Sequence, residues 1–252
     1  MSGDYELPEV DRNFEVYPLF QQALGLFFRN LPLLTAINLP VALISSLCLY
    51  FGAPTLADAN PDPAHPFSIP SNEWLALAGA LLIAFSFGLW STAAIFRVAD
   101  AALAGEPLPG FGAAFSHAIE RVPALFGVQV MYVLTVMLGG VFCVLPGIWL
   151  GVLLLPALPR VATREVGPIA ALQDARALVS GRWWKVAGYC VLVGLTIYAI
   201  YTPYLFLNMI LPHGNTAALF VRAAANLLAA ALIAPFQASA YAVLHRRLEE
   251  TV

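Results

Sequence analysis

Five of the twelve basic residues, Arg160, Arg164, Arg176, Arg182 and Lys185, fall in one short stretch between long uncharged apolar runs. Beside a bilayer such a cluster has two uses. It fixes the direction of threading, because Lys and Arg stay on the cytoplasmic side, or it attracts anionic headgroups, each cation adding about 1 kcal/mol. Arg176, Arg182 and Lys185 are the candidate headgroup contacts. Threading alone needs no ligand and is the simpler reading.

A second set of groups sits inside the apolar runs: Asn38, Gln129, Asn208 and Asn226. An amide in hydrocarbon must find a partner, and interhelical hydrogen bonds of roughly 0.6 to 2 kcal/mol are the usual outcome. Structural glue is therefore the first expectation, and the lining of a polar cavity is the alternative. The histidines, His65, His117, His213 and His245, are far apart and fall on both sides of the threading derived below, so no metal site is expected from them. For His117 the plain reading is a polar residue on a solvated helix face. Cys48, Cys143 and Cys190 are isolated in apolar runs, which suits small buried hydrophobes better than a disulfide framework or a zinc site. Every Asp and Glu lies in an expected loop, tail or interfacial helix, which leaves no intramembrane carboxylate as a proton relay. Neither a catalytic residue nor a cofactor site is expected.

The elements that must carry these groups are membrane helices. With 60% hydrophobic and 11% charged residues, the chain has too little polar surface for a soluble globule of 252 residues. A net charge of −3 without a basic face sets nucleic-acid binding aside. Residues 1–13 are acidic and read as a flexible tail; their charge is opposite to that of a secretory signal, so no cleaved signal is expected. Residues 14–252 read as one transmembrane domain.

A hydrocarbon core about 30 Å thick takes about twenty apolar residues to cross. Six windows qualify, at about 31–51, 74–96, 123–144, 147–161, 186–210 and 217–244. All are expected to be helices, since lipid offers no partner to free backbone groups. A tight turn is expected at Pro146-Gly147, and another within Leu211 to Asn215. Alternate threading puts every Lys and Arg on one side except Arg222, so both termini are expected in the cytoplasm. The loop from Gly52 to Asn72 is then the main segment on the far side. Trp74, Trp90, Trp149, Trp183 and Trp184 lie near span ends, where headgroups favour such rings.

Each pair of spans is preceded by an amphipathic stripe: Phe14 to Leu31, Phe111 to Val122 and Ile169 to Val179. The stripes share a loose string, Phe20-Gln21-Gln22-Ala23, Phe115-Ser116-His117-Ala118 and Leu172-Gln173-Asp174-Ala175. The expected fold is thus all-α: six transmembrane helices in three hairpins, each preceded by a cytoplasmic interfacial amphipathic helix.

The segment Leu145-Pro146-Gly147-Ile148-Trp149-Leu150 through Leu155, then Pro159-Arg160, Gly167 and the run from Ala171 to Lys185, resembles the YciC-like bacterial inner-membrane proteins. It also resembles the related membrane domain of some glycerophosphodiester phosphodiesterases. The likeness is best from about Val144 to Val193. It implies a multi-pass protein of the bacterial cytoplasmic membrane with a role in envelope upkeep, with membrane lipids as its partners. The phosphodiesterases carry their catalytic carboxylates in a separate soluble domain, so their activity is not carried over. A structural or lipid-associated component without enzymatic activity is the reading taken. Its rivals are a transporter with a cavity near Asn38, Asn208 and Asn226, and an enzyme acting on lipid phosphates. Protein partners and oligomeric state are left open.

Overall fold

The computed structural model describes residues 14–58, 71–142, 144–212 and 216–251. Among them every regular element is an α-helix: α1 (Val16–Arg29), α2 (Leu31–Asp58), α3 (Ser71–Ala104), α4 (Phe111–Phe142), α5 (Val144–Leu154), α6 (Ala157–Thr163), α7 (Pro168–Val179), α8 (Trp183–Ile210) and α9 (Thr216–Glu250). By length and composition five stretches can cross a bilayer: Leu82–Ala104, Phe111–Val141, Val144–Thr163, Trp183–Ile210 and Thr216–Glu250. A sixth candidate is α1 taken with Leu31–Ile44, a pair bent by 78°. These are the dimensions of a multi-pass helical membrane protein.

Several elements differ from the sequence expectation. The stripe at Phe111 to Val122 is not a separate helix; it is the first third of α4, which runs on through Pro123. Proline lacks only one donor, and a long helix with neighbours on both sides tolerates that loss as a kink. The turn expected at Pro146-Gly147 is also displaced. Both residues lie in the first turn of α5, where a proline forfeits no helical hydrogen bond. Gly147 serves close packing instead, since a Cβ there would stand 3.0 Å from the Gly140 backbone. The fourth span is broken at Pro156, between α5 and α6, so it is not one helix over 147–161. Residues 52–58 and 71–72, expected in a loop, are helical; the rest of that loop, with His65, lies outside the described residues, as do the tail 1–13, Cys143 and His213.

α2 packs on α3, α4 on α5, and α8 on α9, while α9 also touches α1, α2, α3, α6 and α7. The buried apolar residues form one cluster. It draws on α1, the start of α2, the end of α3, the start of α4, the end of α5, α6, α7, the start of α8 and the end of α9. The opposite helix ends are bare: Val141 is 81% exposed, Leu145 73% and Met209 78%. Exposed apolar side chains of this kind are what lipid covers.

The three amphipathic stripes turn their small residues inward. Ala23, Ala118 and Ala175 of the shared strings are all buried, and so are Leu19, Ala114 and Ala171 one turn earlier. On α1 the buried edge packs on α9, with Phe27 and Phe236 at 5.6 Å between ring centroids, while Tyr17 and Phe28 are exposed. α3 ends where Gly105 takes a positive φ of 71°, which lets Glu106 donate back to the Ala101 carbonyl.

Candidate functional site

The basic stretch is drawn together by the carboxyl end of α9. Arg160 projects from α6 and meets two carboxylates, Asp174 of α7 at 3.1 Å and Glu249 of α9 in a close pair. Glu249 also takes Arg164 at 3.4 Å and stands 3.5 Å from the Nε2 of His245. Three helices are thus tied through one guanidinium. Its planar fork can face two acceptors at once, which an ammonium does less well. Arg182 donates to both the hydroxyl and the carbonyl oxygen of Thr251, closing the chain end onto the α7–α8 junction.

Of the three candidate headgroup contacts, Arg182 is therefore a structural cation. Arg176 is exposed and Lys185 is half-buried, and neither meets a carboxylate among the described residues. Next to Lys185, Trp184 is 82% exposed, while Trp183 donates to the Trp149 carbonyl at 3.1 Å. An exposed indole beside a cation is the usual composition of a membrane-interface anchor.

The intramembrane amides divide. Asn38 on α2 donates to the Ala230 carbonyl of α9 at 2.9 Å and accepts from Ser91 of α3 at 3.2 Å, joining three helices. Asn226 of α9 donates to Ser46 of α2 at 3.2 Å. Gln129 is half-buried and Asn208 is exposed, and neither makes a hydrogen bond to a described residue, so neither is glue within this chain. The sequence placed all four in apolar runs, but only the azimuth around each helix decides which meet a neighbour. Cys190 is half-buried, the side chain of Cys48 is not described, and no group of three His, Cys, Asp or Glu able to hold a metal ion exists among the described residues.

Two cavities open at the end where α1, α3 and α9 meet, and neither touches Asn38, Asn208 or Asn226. One, of about 570 Å³, is bordered by Glu15, Gln22, Arg246, Arg247 and Glu250; the other, of about 630 Å³, by Gln21, Gln22, Arg29, Asn30 and Glu106. Gln22 and Leu103 line both, so the two are neighbouring parts of one polar furrow.

Sequence reasoning missed Arg160 as the hub and His245 as a buried residue. No local signal marks Arg160: its triplet Arg160-Val161-Ala162 recurs at Arg97-Val98-Ala99, where the Arg pairs only with Asp100, at 4.0 Å, among the described residues. For His245 the apolar neighbours Val243, Leu244 and Leu248 gave a hint that its helix end was packed. No family model, curated protein or solved structure matches this chain.

Proposed function

We propose that this is a six-span component of the bacterial cytoplasmic membrane, with both termini in the cytoplasm. It would consist of three helical hairpins, each led by an amphipathic segment at the inner interface, and act as a lipid-associated element of envelope upkeep without enzymatic activity of its own. The resemblance of Val144 to Val193 to YciC-like proteins supports the setting, and the gathering of cations at the tightly packed end supports the orientation.

The observation that carries the lipid reading is the contrast among the cations. Arg160, Arg164 and Arg182 are engaged by this chain's own acceptors, whereas Arg176 and Lys185, beside an exposed Trp184, meet no acceptor side chain among the described residues. A transporter would need its polar groups turned to a cavity, and Asn38 and Asn226 are instead bonded to neighbouring helices. The Arg160 hub does not suit an enzyme acting on lipid phosphates: its carboxylates Asp174 and Glu249 are held in ion pairs, and its imidazole, His245, is 4% exposed.

The test is a lipid assay. In the Arg176→Gln/Lys185→Gln double variant, anionic lipid retained on purification should fall severalfold, while Arg222→Gln should change nothing. Unchanged lipid content in the double variant would count against the reading. A cysteine placed at Trp184 should react with a membrane-impermeant reagent only after the inner face is opened; labelling in intact cells would reverse the orientation.

A further inference from the structure

A second group of cations stands apart from the Arg160 hub, where the end of α3 crosses the start of α4. His117 and Arg121 are one turn apart on α4 and so share a face. Arg97 lies on α3, which packs against α4, near enough for its charge, like that of Arg121, to be felt at His117. The carboxylates around them are Asp100, Glu120 and Glu165. Among the described residues they take one hydrogen bond from these three side chains. Asp100 is 4.0 Å from the Arg97 guanidinium, beyond hydrogen-bond range, and Glu120 is exposed. Glu165, 88% exposed, receives one bond from Nη2 of Arg121 at 2.8 Å.

Two further nitrogens are shielded from water. Nε of Arg121 and Nε2 of His117 are both buried and both lack a hydrogen-bond partner among the described residues. A guanidinium stays protonated, so its buried N–H cannot shed the cost of a missing acceptor by titrating. Two unpartnered nitrogens on one helix, with the Arg97 guanidinium of the neighbouring helix held only by a 4.0 Å ion pair to Asp100, make a donor set suited to an oxyanion. The same two helices carry an aromatic pair of the kind enriched at membrane interfaces: Trp90 donates to the Phe115 carbonyl at 2.9 Å and its ring lies 4.9 Å from that of Phe115.

We propose that Arg97, His117 and Arg121 bind a phosphoryl group, drawn either from an anionic lipid of the inner leaflet or from free phosphate. The site is separate from Arg176 and Lys185 and does not rest on their binding lipid. Glu165 closes its outer edge by holding Arg121 from the water side, which orients Nε inward. The phosphoryl oxygens accept from Nε of Arg121 and from Arg97, and from Nε2 of His117 when that nitrogen carries the ring proton.

The informative variant is Arg121→Lys, which keeps the charge facing Glu165 but has no N–H at the Nε position. Arg97→Gln is its partner on α3, and Arg246→Gln is a control that leaves the site alone. In one arm the full-length protein is reconstituted with phosphatidylglycerol in a phosphatidylcholine bilayer and the lipid kept through detergent extraction is weighed by native mass spectrometry. In the other, inorganic phosphate is added to protein in neutral detergent and the thermal midpoint is followed. For a lipid source, Arg121→Lys and Arg97→Gln each lower retained phosphatidylglycerol about tenfold, the loss of one charge-assisted hydrogen bond, with Arg246→Gln unchanged. For free phosphate, the midpoint of the wild type rises with phosphate, that of Arg121→Lys does not, and lipid retention is equal in both. Failure of both arms overturns the proposal and leaves ordered water as the acceptor. Loss at Arg176 and Lys185 with no effect here would leave the headgroup reading standing and this one refuted.

Discussion

Asn38 shows how one side chain holds a membrane bundle together. Its amide gives a proton to a carbonyl of α9 and takes one from a hydroxyl of α3, so both ends of the group are satisfied inside a low-dielectric interior. Replacing it by leucine removes two interhelical bonds, which should lower stability by about 1 to 2 kcal/mol. Thermal unfolding in detergent would show it, with Gln129→Leu as the comparison expected to cost nothing, because that amide binds no described neighbour. Glu249 is the corresponding residue in the charged layer. Glu249→Gln leaves Arg160 with Asp174 alone and releases Arg164, a loss of about 1 kcal/mol for partly exposed pairs. Added salt should shrink the difference between this variant and the wild type. The types of these residues were readable from the sequence. Their partners were not, since Asn38 and Ala230, or Arg160 and Glu249, are far apart in the chain and meet only through packing.

At the scale of elements, small residues rather than turns set the geometry of the middle of the chain. Gly139, Gly140 and Gly147 bring α4 and α5 into backbone contact, so that a methyl group on Gly147 would press on Gly140 at 3.0 Å and on the Val136 carbonyl at 3.2 Å. Gly147→Leu should therefore wedge the two helices apart and cost about 1 to 3 kcal/mol, as overpacking does. A thermal midpoint equal to that of the wild type would show that the contact does not exist. Pro146-Gly147 reads as a turn because both residues break ordinary helices. In the structure α5 already begins at Val144, and the pair serves helix entry and close approach. The merged helix α4 has the same cause: Pro123 looks like a boundary in isolation, yet α3 and α5 flank α4 and α6 packs against it. The bend of 78° between α1 and α2 was legible as a change from an amphipathic to a uniformly apolar pattern.

Across the whole molecule, packing is concentrated at the end that carries the cations. α9 is its axis, burying Phe236, Ala240, Val243, Leu244 and Leu248 among six other helices. Its last residues then clamp α6 and the α7–α8 junction through Glu249 and Thr251. Deleting Leu248 to Val252 should free that end. Trypsin should then cut after Arg164, Arg176 or Arg182 severalfold faster than in the intact protein, as seen by mass spectrometry of a limited digest. Equal rates would show that the clamp does not hold those segments. The apolar ends at the other side, Val141, Leu145 and Met209 among them, have no such partners within the chain and are left for lipid.

The sequence by itself determined the helical class and the presence of several helices long and apolar enough to cross a bilayer. Each of these follows from the number of consecutive uncharged apolar residues and from the need of backbone groups for partners within the same segment. Those are local properties, and local properties are written along the chain. Tertiary structure alone decided which amides are bonded and which face outward, that Pro123 and Pro146 lie within helices, and that Arg160, Asp174, His245 and Glu249 share one place. Such facts depend on the rotation and contact of helices distant in sequence, and a hydropathy pattern carries no record of either.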